Sequence, residues 1–370
     1  MTINLGPLFE PFEYKSLKLR NRVAMAPMTR NFSPGNVPGE DVAAYYRRRA
    51  EGGVGLLITE GTFINHPAAN GYEKVPAFYG EQALAGWKRV VDEVHAAGGA
   101  IIPQLWHVGA VRKEGMEPDP KVPGYSPCGY LFPGKPRGHA MTKQDIKDVV
   151  RAFAEAARDA KALGFDGVEL HGAHGYLIDQ FFWEVTNQRD DEYGGSLEKR
   201  LRFAIEIVEA VRDAVGPDFA IVLRYSQWKM TDYEAKLART PQELERFLLP
   251  LVKAGVDIFH ASTRRFWVPE FEGSNLNLAG WTRKITGQPA ISVGSVGLTE
   301  EFVTGTFVNK LEQIEQANLD NLVERMQAKE FDLVAVGRAL LQDPNWLAKL
   351  RDGRTNEIQP FSRASLDVLT

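Results

Sequence analysis

Asp166-Gly-Val-Glu-Leu-His171-Gly-Ala-His174-Gly-Tyr176 decides the fold, because a short apolar run opens there onto a turn carrying two imidazoles and a phenol. Upstream lies Thr142 to Leu163, a segment of helical period with Thr142 as its cap. Downstream, Phe203, Ile207, Val211 and Val215 recur at a spacing of four, which is again helical. The alternation repeats in both directions, with strand starts near Arg22, Val54, Ala100, Gly167, Ala220, Ile258, Ala290 and Leu333. Eight such units predict an α/β fold, a closed (β/α)8 TIM barrel, with residues 1–370 as one domain. An open doubly wound sheet is the alternative, but no Gly-x-Gly-x-x-Gly turn follows the first strand.

Phe12-Glu-Tyr14 and Leu17-Lys-Leu19 flank Lys15-Ser16 and read as an N-terminal β-hairpin that plugs the barrel bottom. Val108 to Ala140, after the third strand, is crowded with proline and glycine and reads as a long lid loop. A second insertion, Gly297 to Asp320, contains the helix-like Lys310-Leu-Glu-Gln-Ile-Glu-Gln316 and has no role that the sequence assigns.

Composition narrows the chemistry. The 44 basic and 48 acidic residues are mixed along the chain, so no general attraction to nucleic acid or to an anionic membrane is expected. The densest basic patch, Tyr45-Tyr46-Arg47-Arg48-Arg49, reads as the solvated face of a helix. Cys128 is the only cysteine, which excludes an intrachain disulfide, a thiolate iron–sulfur cluster and a four-cysteine zinc site. The N-terminus lacks a basic region followed by an apolar core, and no stretch offers eighteen uninterrupted apolar residues. A cytoplasmic location is the resulting expectation.

In barrels of this class the catalytic groups sit where strands meet the following loops. Those ends carry Pro27-Met28-Thr29-Arg30, Glu60-Gly61, Gln104-Leu-Trp106-His107, His171 and His174, Arg224, Gly294-Ser295 and Gly337-Arg338. His171 and His174 can donate hydrogen bonds to one carbonyl oxygen, and Tyr176 can supply a proton nearby. Glycines at the seventh and eighth ends let backbone N–H groups approach a phosphate, with Arg338 as a charged clamp; ordinary turn glycines are the other reading. Arg224 would stabilise negative charge on a bound ring, or else form a salt bridge inside the barrel. The histidines could also ligate a metal together with His107 or His260. Trp106 and Phe266-Trp267 would wall an apolar pocket, although aromatic residues at such positions also serve as packing.

Taken together, these fragments resemble the old yellow enzyme family of flavin-dependent ene-reductases. The resemblance runs from Leu8-Phe9 through Arg22-Val-Ala-Met-Ala-Pro-Met-Thr-Arg30, Leu57-Ile-Thr-Glu-Gly61, Gln104-Leu-Trp-His107, the histidine motif, Asn187-x-Arg189 and Tyr193-Gly-Gly-Ser196 to Val336-Gly-Arg338. It implies noncovalent FMN at the upper mouth. Thr29 would bond the flavin carbonyl, Pro27, Met28 and Gly61 would line the ring, and Gln104 would hold the pyrimidine edge. Arg224 would stabilise the reduced ring, and Gly294, Ser295, Gly337 and Arg338 would bind the phosphate.

The resemblance further implies that NAD(P)H reduces the flavin and leaves, after which an α,β-unsaturated carbonyl or nitro compound is reduced, in ping-pong order. His171 and His174 would polarise the carbonyl, Tyr176 would protonate the α-carbon, and Trp106 would line the substrate pocket. Many relatives carry asparagine at the position of His174. Phe182-Trp183-Glu184-Val185 replaces a commoner Leu-Ser-Pro pattern and Glu198-Lys199-Arg200 a commoner Glu-Asn-Arg, which leaves open whether the protein is a monomer or a homo-oligomer. Larger relatives add an iron–sulfur cluster and a second nucleotide-binding domain, for which this chain lacks the cysteines and is expected to be too short. Two other functions remain in view: a flavin-binding sensor or store without turnover, and a non-redox phosphate-binding isomerase or aldolase. The latter needs a lysine or carboxylate base at a strand end, and no lysine is read there.

Overall fold

Eight parallel strands close into a barrel in the computed structural model, which describes residues 4–298 and 316–370. They are β1 (Val23–Met25), β2 (Leu56–Phe63), β3 (Ala100–Trp106), β4 (Gly167–His174), β5 (Ala220–Lys229), β6 (Ile258–Ser262), β7 (Ala290–Val293) and β8 (Leu333–Val336). Each pairs with its sequence neighbour, and β8 pairs with β1 to close the ring. Among the described residues the longer helices between them are α1 (Glu40–Glu51), α2 (Glu81–Ala96), α3 (Lys143–Leu163), α4 (Leu197–Val215), α5 (Pro241–Ala254), α6 (Leu278–Thr286) and α7 (Gln316–Gln327). The expected (β/α)8 barrel is therefore the observed one.

Alternation along the strands explains the closure. Leu56, Ile58, Ala100, Ile102, Ala220, Val222, Ile258, Ile291, Leu333 and Ala335 form one buried cluster inside the barrel. Their chain neighbours Leu57, Ile101, Ile221, Leu223 and Val334 belong to a second cluster with the apolar faces of the helices. A period of two thus sends alternate residues to the barrel core and to the helix layer. The hairpin of Phe12–Tyr14 and Leu17–Leu19 contributes Phe12, Leu17 and Leu19 to the inner cluster. Ser16 fixes it there: its hydroxyl donates to Asp166 O at 2.6 Å and accepts from Ala220 N–H at 2.8 Å, at the feet of β4 and β5.

At the start of α3, Thr142 Oγ1 accepts the Asp145 N–H at 3.2 Å, the cap expected of Thr142, and Asp145 Oδ2 accepts the Thr142 N–H at 2.7 Å, which makes the cap reciprocal. The lid, in contrast, has structure of its own. Tyr125–Ser126 pairs with His139–Ala140, and Tyr130–Phe132 turns back on Lys135–Pro136. Buried Arg112 organises it by donating to the carbonyls of Met116, Glu117, Asp119 and Val122.

Two further expectations change. The arginine run is not a solvated face, because Arg49 is fully buried and donates to the carbonyls of Tyr45, Leu340 and Leu341. Phe266 is a core residue without exposure, so the Phe266-Trp267 pair does not wall an open pocket. The helix-like Lys310–Gln316 segment lies almost wholly outside the described residues.

Candidate active site

Above the apolar layers, the inward alternation continues into polar residues. Gln104 on β3, Glu169 and His171 on β4, Arg224 on β5 and His260 on β6 occupy the same parity as the core residues below them, and all are buried. Glu169 joins three strands: one carboxylate oxygen accepts from Gln104 Nε2 at 2.8 Å and the other meets His260 Nδ1 at 2.6 Å. Arg224 donates from Nη2 to Ser262 Oγ at 3.2 Å, while its buried Nε has no hydrogen-bond partner among the described residues. A guanidinium desolvated with this few acceptors calls for an anionic or strongly accepting neighbour. Glu169 was not singled out in the sequence, although its inward parity was the available signal, and His260, read there as a possible metal ligand, instead pairs with it.

A bulge in β5 opposite the end of β4 aims the turn that carries His174 and Tyr176. Register shifts between Gly172 and His174, which pair with Tyr225 and Lys229 on β5. His174 adopts a left-handed backbone, φ +65°. It is held there by its N–H donating to Ser226 Oγ at 2.9 Å and by ring stacking on Trp228 at 4.5 Å. Ser262 Oγ lies 2.8 Å from His174 Nε2. When that hydroxyl donates to Nε2, the imidazole proton sits on Nδ1. For His171, the Ala173 N–H contacts Nδ1 at 3.4 Å, an arrangement that leaves Nε2 as the donor. Burial, reinforced by the Arg224 charge, pushes both imidazoles well below their ordinary pKa, so each is neutral and offers one N–H.

Tyr176 opens the short helix Leu177–Phe182 and packs edge-on to His171, with ring centroids 4.9 Å apart. Its hydroxyl meets the Tyr72 hydroxyl at 3.0 Å. Burial pushes the phenol well above its ordinary pKa, so it keeps its proton at neutral pH. Trp106 stacks between Tyr72 at 5.3 Å and His171 at 6.0 Å and is 2% exposed. It therefore backs the histidine and tyrosine rather than presenting a face of its own. Gly61 makes room for it, since a Cβ there would lie 2.5 Å from the indole.

Sequence reading missed Lys229, the last residue of β5, which is fully buried and ion-paired to Asp179 at 2.7 Å. Asp179 in turn accepts the Gly175 N–H at 2.7 Å, so the pair clamps the turn between His174 and Tyr176. The strand was expected to end near Arg224, and its actual length brings this lysine into the rim. Held by Asp179 and by Ser226 O at 3.1 Å, the ammonium is a structural cation rather than a free base. His107 faces His66 at 3.0 Å and His260 faces Glu169, so neither completes a metal site with His171 and His174.

The remaining strand ends meet at the same rim. Pro27, Met28 and Thr29 lie in an extended, partly open segment after β1 that the Arg30 N–H ties to buried Glu60 at 2.9 Å. Burial raises the Glu60 carboxyl to about 7. Gly294 has φ +149°, and a Cβ there would sit 2.7 Å from Thr263 Oγ1, so only glycine fits the turn. Ser295 Oγ accepts from Arg338 Nη2 at 3.0 Å, which brings the β7 and β8 ends together. Gly337 starts the short helix that contains Arg338.

Comparison with known proteins agrees with this geometry. Residues 7–357 match the NADH:flavin oxidoreductase / NADH oxidase family. The chain is 34% identical over 364 residues to an NADH oxidase of Thermoanaerobacter brockii, covering 95% of this chain and 52% of that protein. It is 35% identical over 319 residues to 12-oxophytodienoate reductase 2 of Arabidopsis thaliana, covering 79% of this chain and 83% of the relative. The chain thus spans about half the length of several curated relatives it matches. Among solved structures, morphinone reductase in complex with tetrahydroNAD superposes with a TM-score of 0.80 at 30% identity, covering 97% of this chain and 93% of the other. No helix among the described residues is long and apolar enough to cross a membrane.

Proposed function

The chain belongs to the NADH:flavin oxidoreductase / NADH oxidase family, the old yellow enzyme group, and on that premise we propose that it is an FMN-dependent ene-reductase. Its reductant would be NAD(P)H, and its second substrate an α,β-unsaturated carbonyl or nitro compound. The observation that carries this reading is the pairing of neutral His171 with protonated Tyr176 on one turn, rings 4.9 Å apart. One group suits donation to a carbonyl oxygen and the other delivery of a proton to carbon.

Noncovalent FMN suits the residues present. The partnerless Nε of buried Arg224 is matched by an accepting pyrimidine edge. Gln104 has its Nε2 committed to Glu169, which orients its amide oxygen for a ring N–H donor. Pro27, Met28, Thr29 and Gly61 would line the ring, and Gly294, Ser295, Gly337 and Arg338 would hold the phosphate. When bound, FMN would accept a hydride from NAD(P)H and pass it to the olefin in ping-pong order.

The chain's own residues supply the rest. His171 Nε2 and His174 Nδ1 hold the carbonyl oxygen and stabilise the charge that develops there. Tyr176 gives its proton to the α-carbon. Trp106 fixes both His171 and Tyr176 from behind.

The protein loaded with FMN is expected to be yellow, to bleach anaerobically with NADH or NADPH, and to recover its colour with cyclohexenone as cyclohexanone forms. Recovery only on admission of oxygen would replace this reading with an oxidase. His171→Ala is expected to weaken binding of p-hydroxybenzaldehyde about tenfold or more, the loss of a charge-assisted hydrogen bond of about 1.5–3 kcal/mol. Unchanged affinity in an absorbance titration would refute its anchoring role.

A further inference from the structure

Tyr176 must recover a proton after each turnover, and its surroundings restrict where that proton originates. The side chain is 7% exposed, and burial disfavours the phenolate left behind. Its hydroxyl has two neighbours among the described residues, Tyr72 Oη at 3.0 Å and Met230 Sδ at 3.6 Å. A thioether has no proton to give.

Tyr72 is half-buried, and its ring is fixed by stacking on Trp106 and by its N–H donating to Asn70 Oδ1 at 3.0 Å. It lines a cavity of about 360 Å³ together with Asn36, Glu73, Lys74 and Glu117. Tyr72 therefore borders this polar cavity and also meets the Tyr176 hydroxyl.

We propose that Tyr72 acts through Tyr176 as a proton relay, restoring its proton between turnovers from water in this cavity; the inference rests on the ene-reductase reading. The Tyr176 O–H bond breaks as its proton joins the α-carbon. The resulting phenolate takes the proton of Tyr72, and the Tyr72 phenolate takes one from water, releasing hydroxide to the solvent. The transfer is favoured in this direction because Tyr176 is the more deeply buried of the two phenols, and burial disfavours its phenolate more.

The test uses the FMN-loaded enzyme and Tyr72→Phe, which keeps the ring on Trp106 and removes one hydroxyl. With excess dithionite as reductant and cyclohexenone as substrate, the first turnover of pre-reduced variant should stay within about twofold of wild type. Later turnovers should slow by about tenfold or more, with an enlarged solvent deuterium isotope effect. FMN content and the absorbance change on binding p-hydroxybenzaldehyde should be unchanged, which shows that the site is intact. Later turnovers as fast as the first would overturn the relay. So would a first turnover slowed equally, which marks Tyr72 as merely positioning Tyr176, or a raised KM with unchanged kcat, which marks a substrate contact. Failure of the ene-reductase reading is distinguishable, because it removes olefin reduction from the wild type itself.

Discussion

Tyr176→Phe is expected to slow flavin reoxidation by cyclohexenone by about 100-fold or more, the usual worth of a positioned general acid. Flavin reduction by nicotinamide should change little, because no proton is delivered to carbon in that half. The structure makes the substitution a clean one. The hydroxyl bonds only to Tyr72 Oη and Met230 Sδ among the described residues, whereas the ring packs edge-on against Trp106 and His171. Phenylalanine keeps the ring contacts and removes the proton. Stopped-flow measurement of the two halves separately decides the matter: equal slowing of both would mean that the phenol shapes the site rather than supplying an acid.

This prediction rests on a turn that was legible in the sequence. Apolar runs of strand length, alternating with helical periodicity, specify the barrel because each pattern buries only one kind of surface. The ends of the apolar strand runs marked the rim residues from Pro27 to Arg338. What escaped notice had a physical cause in each case. Glu169 looks like an interruption of an apolar strand, and its purpose emerges only when parity places it between Gln104 and His260 in the closed barrel. Lys229 lies beyond the apolar part of its strand, and only the pairing of His174 with Lys229 across the β5 bulge shows how far the strand runs. Tyr72 sits in a loop without periodicity, so its approach to Tyr176, 104 residues away, is a tertiary fact that no local pattern encodes. Arg49 was misjudged because its run carries several charges, while the burial of one of them depends on carbonyls nearly 300 residues away.

Lys229→Met is expected to destabilise the fold by about 3–5 kcal/mol, since removing one partner of a buried ion pair strands the other charge. Both side chains are wholly buried, and the carboxylate left behind would keep only the Gly175 N–H. Burial already pushes Asp179 above the ordinary carboxylate range with the lysine in place, and its loss removes the main opposing charge. A carboxyl whose folded pKa exceeds its unfolded value binds more protons in the folded state, so stability falls as pH rises through that interval. The deficit should accordingly be larger at pH 8 than at pH 5. Replacing both partners, Asp179→Leu with Lys229→Met, should recover most of the stability and abolish that pH dependence, because no buried charge remains. The double variant should nonetheless reduce cyclohexenone more slowly than wild type, since the Gly175 N–H loses the acceptor that clamps the turn between His174 and Tyr176. Denaturant midpoints at the two pH values test the first claim, and a single variant as stable as wild type would show that the pair is not the clamp its geometry describes.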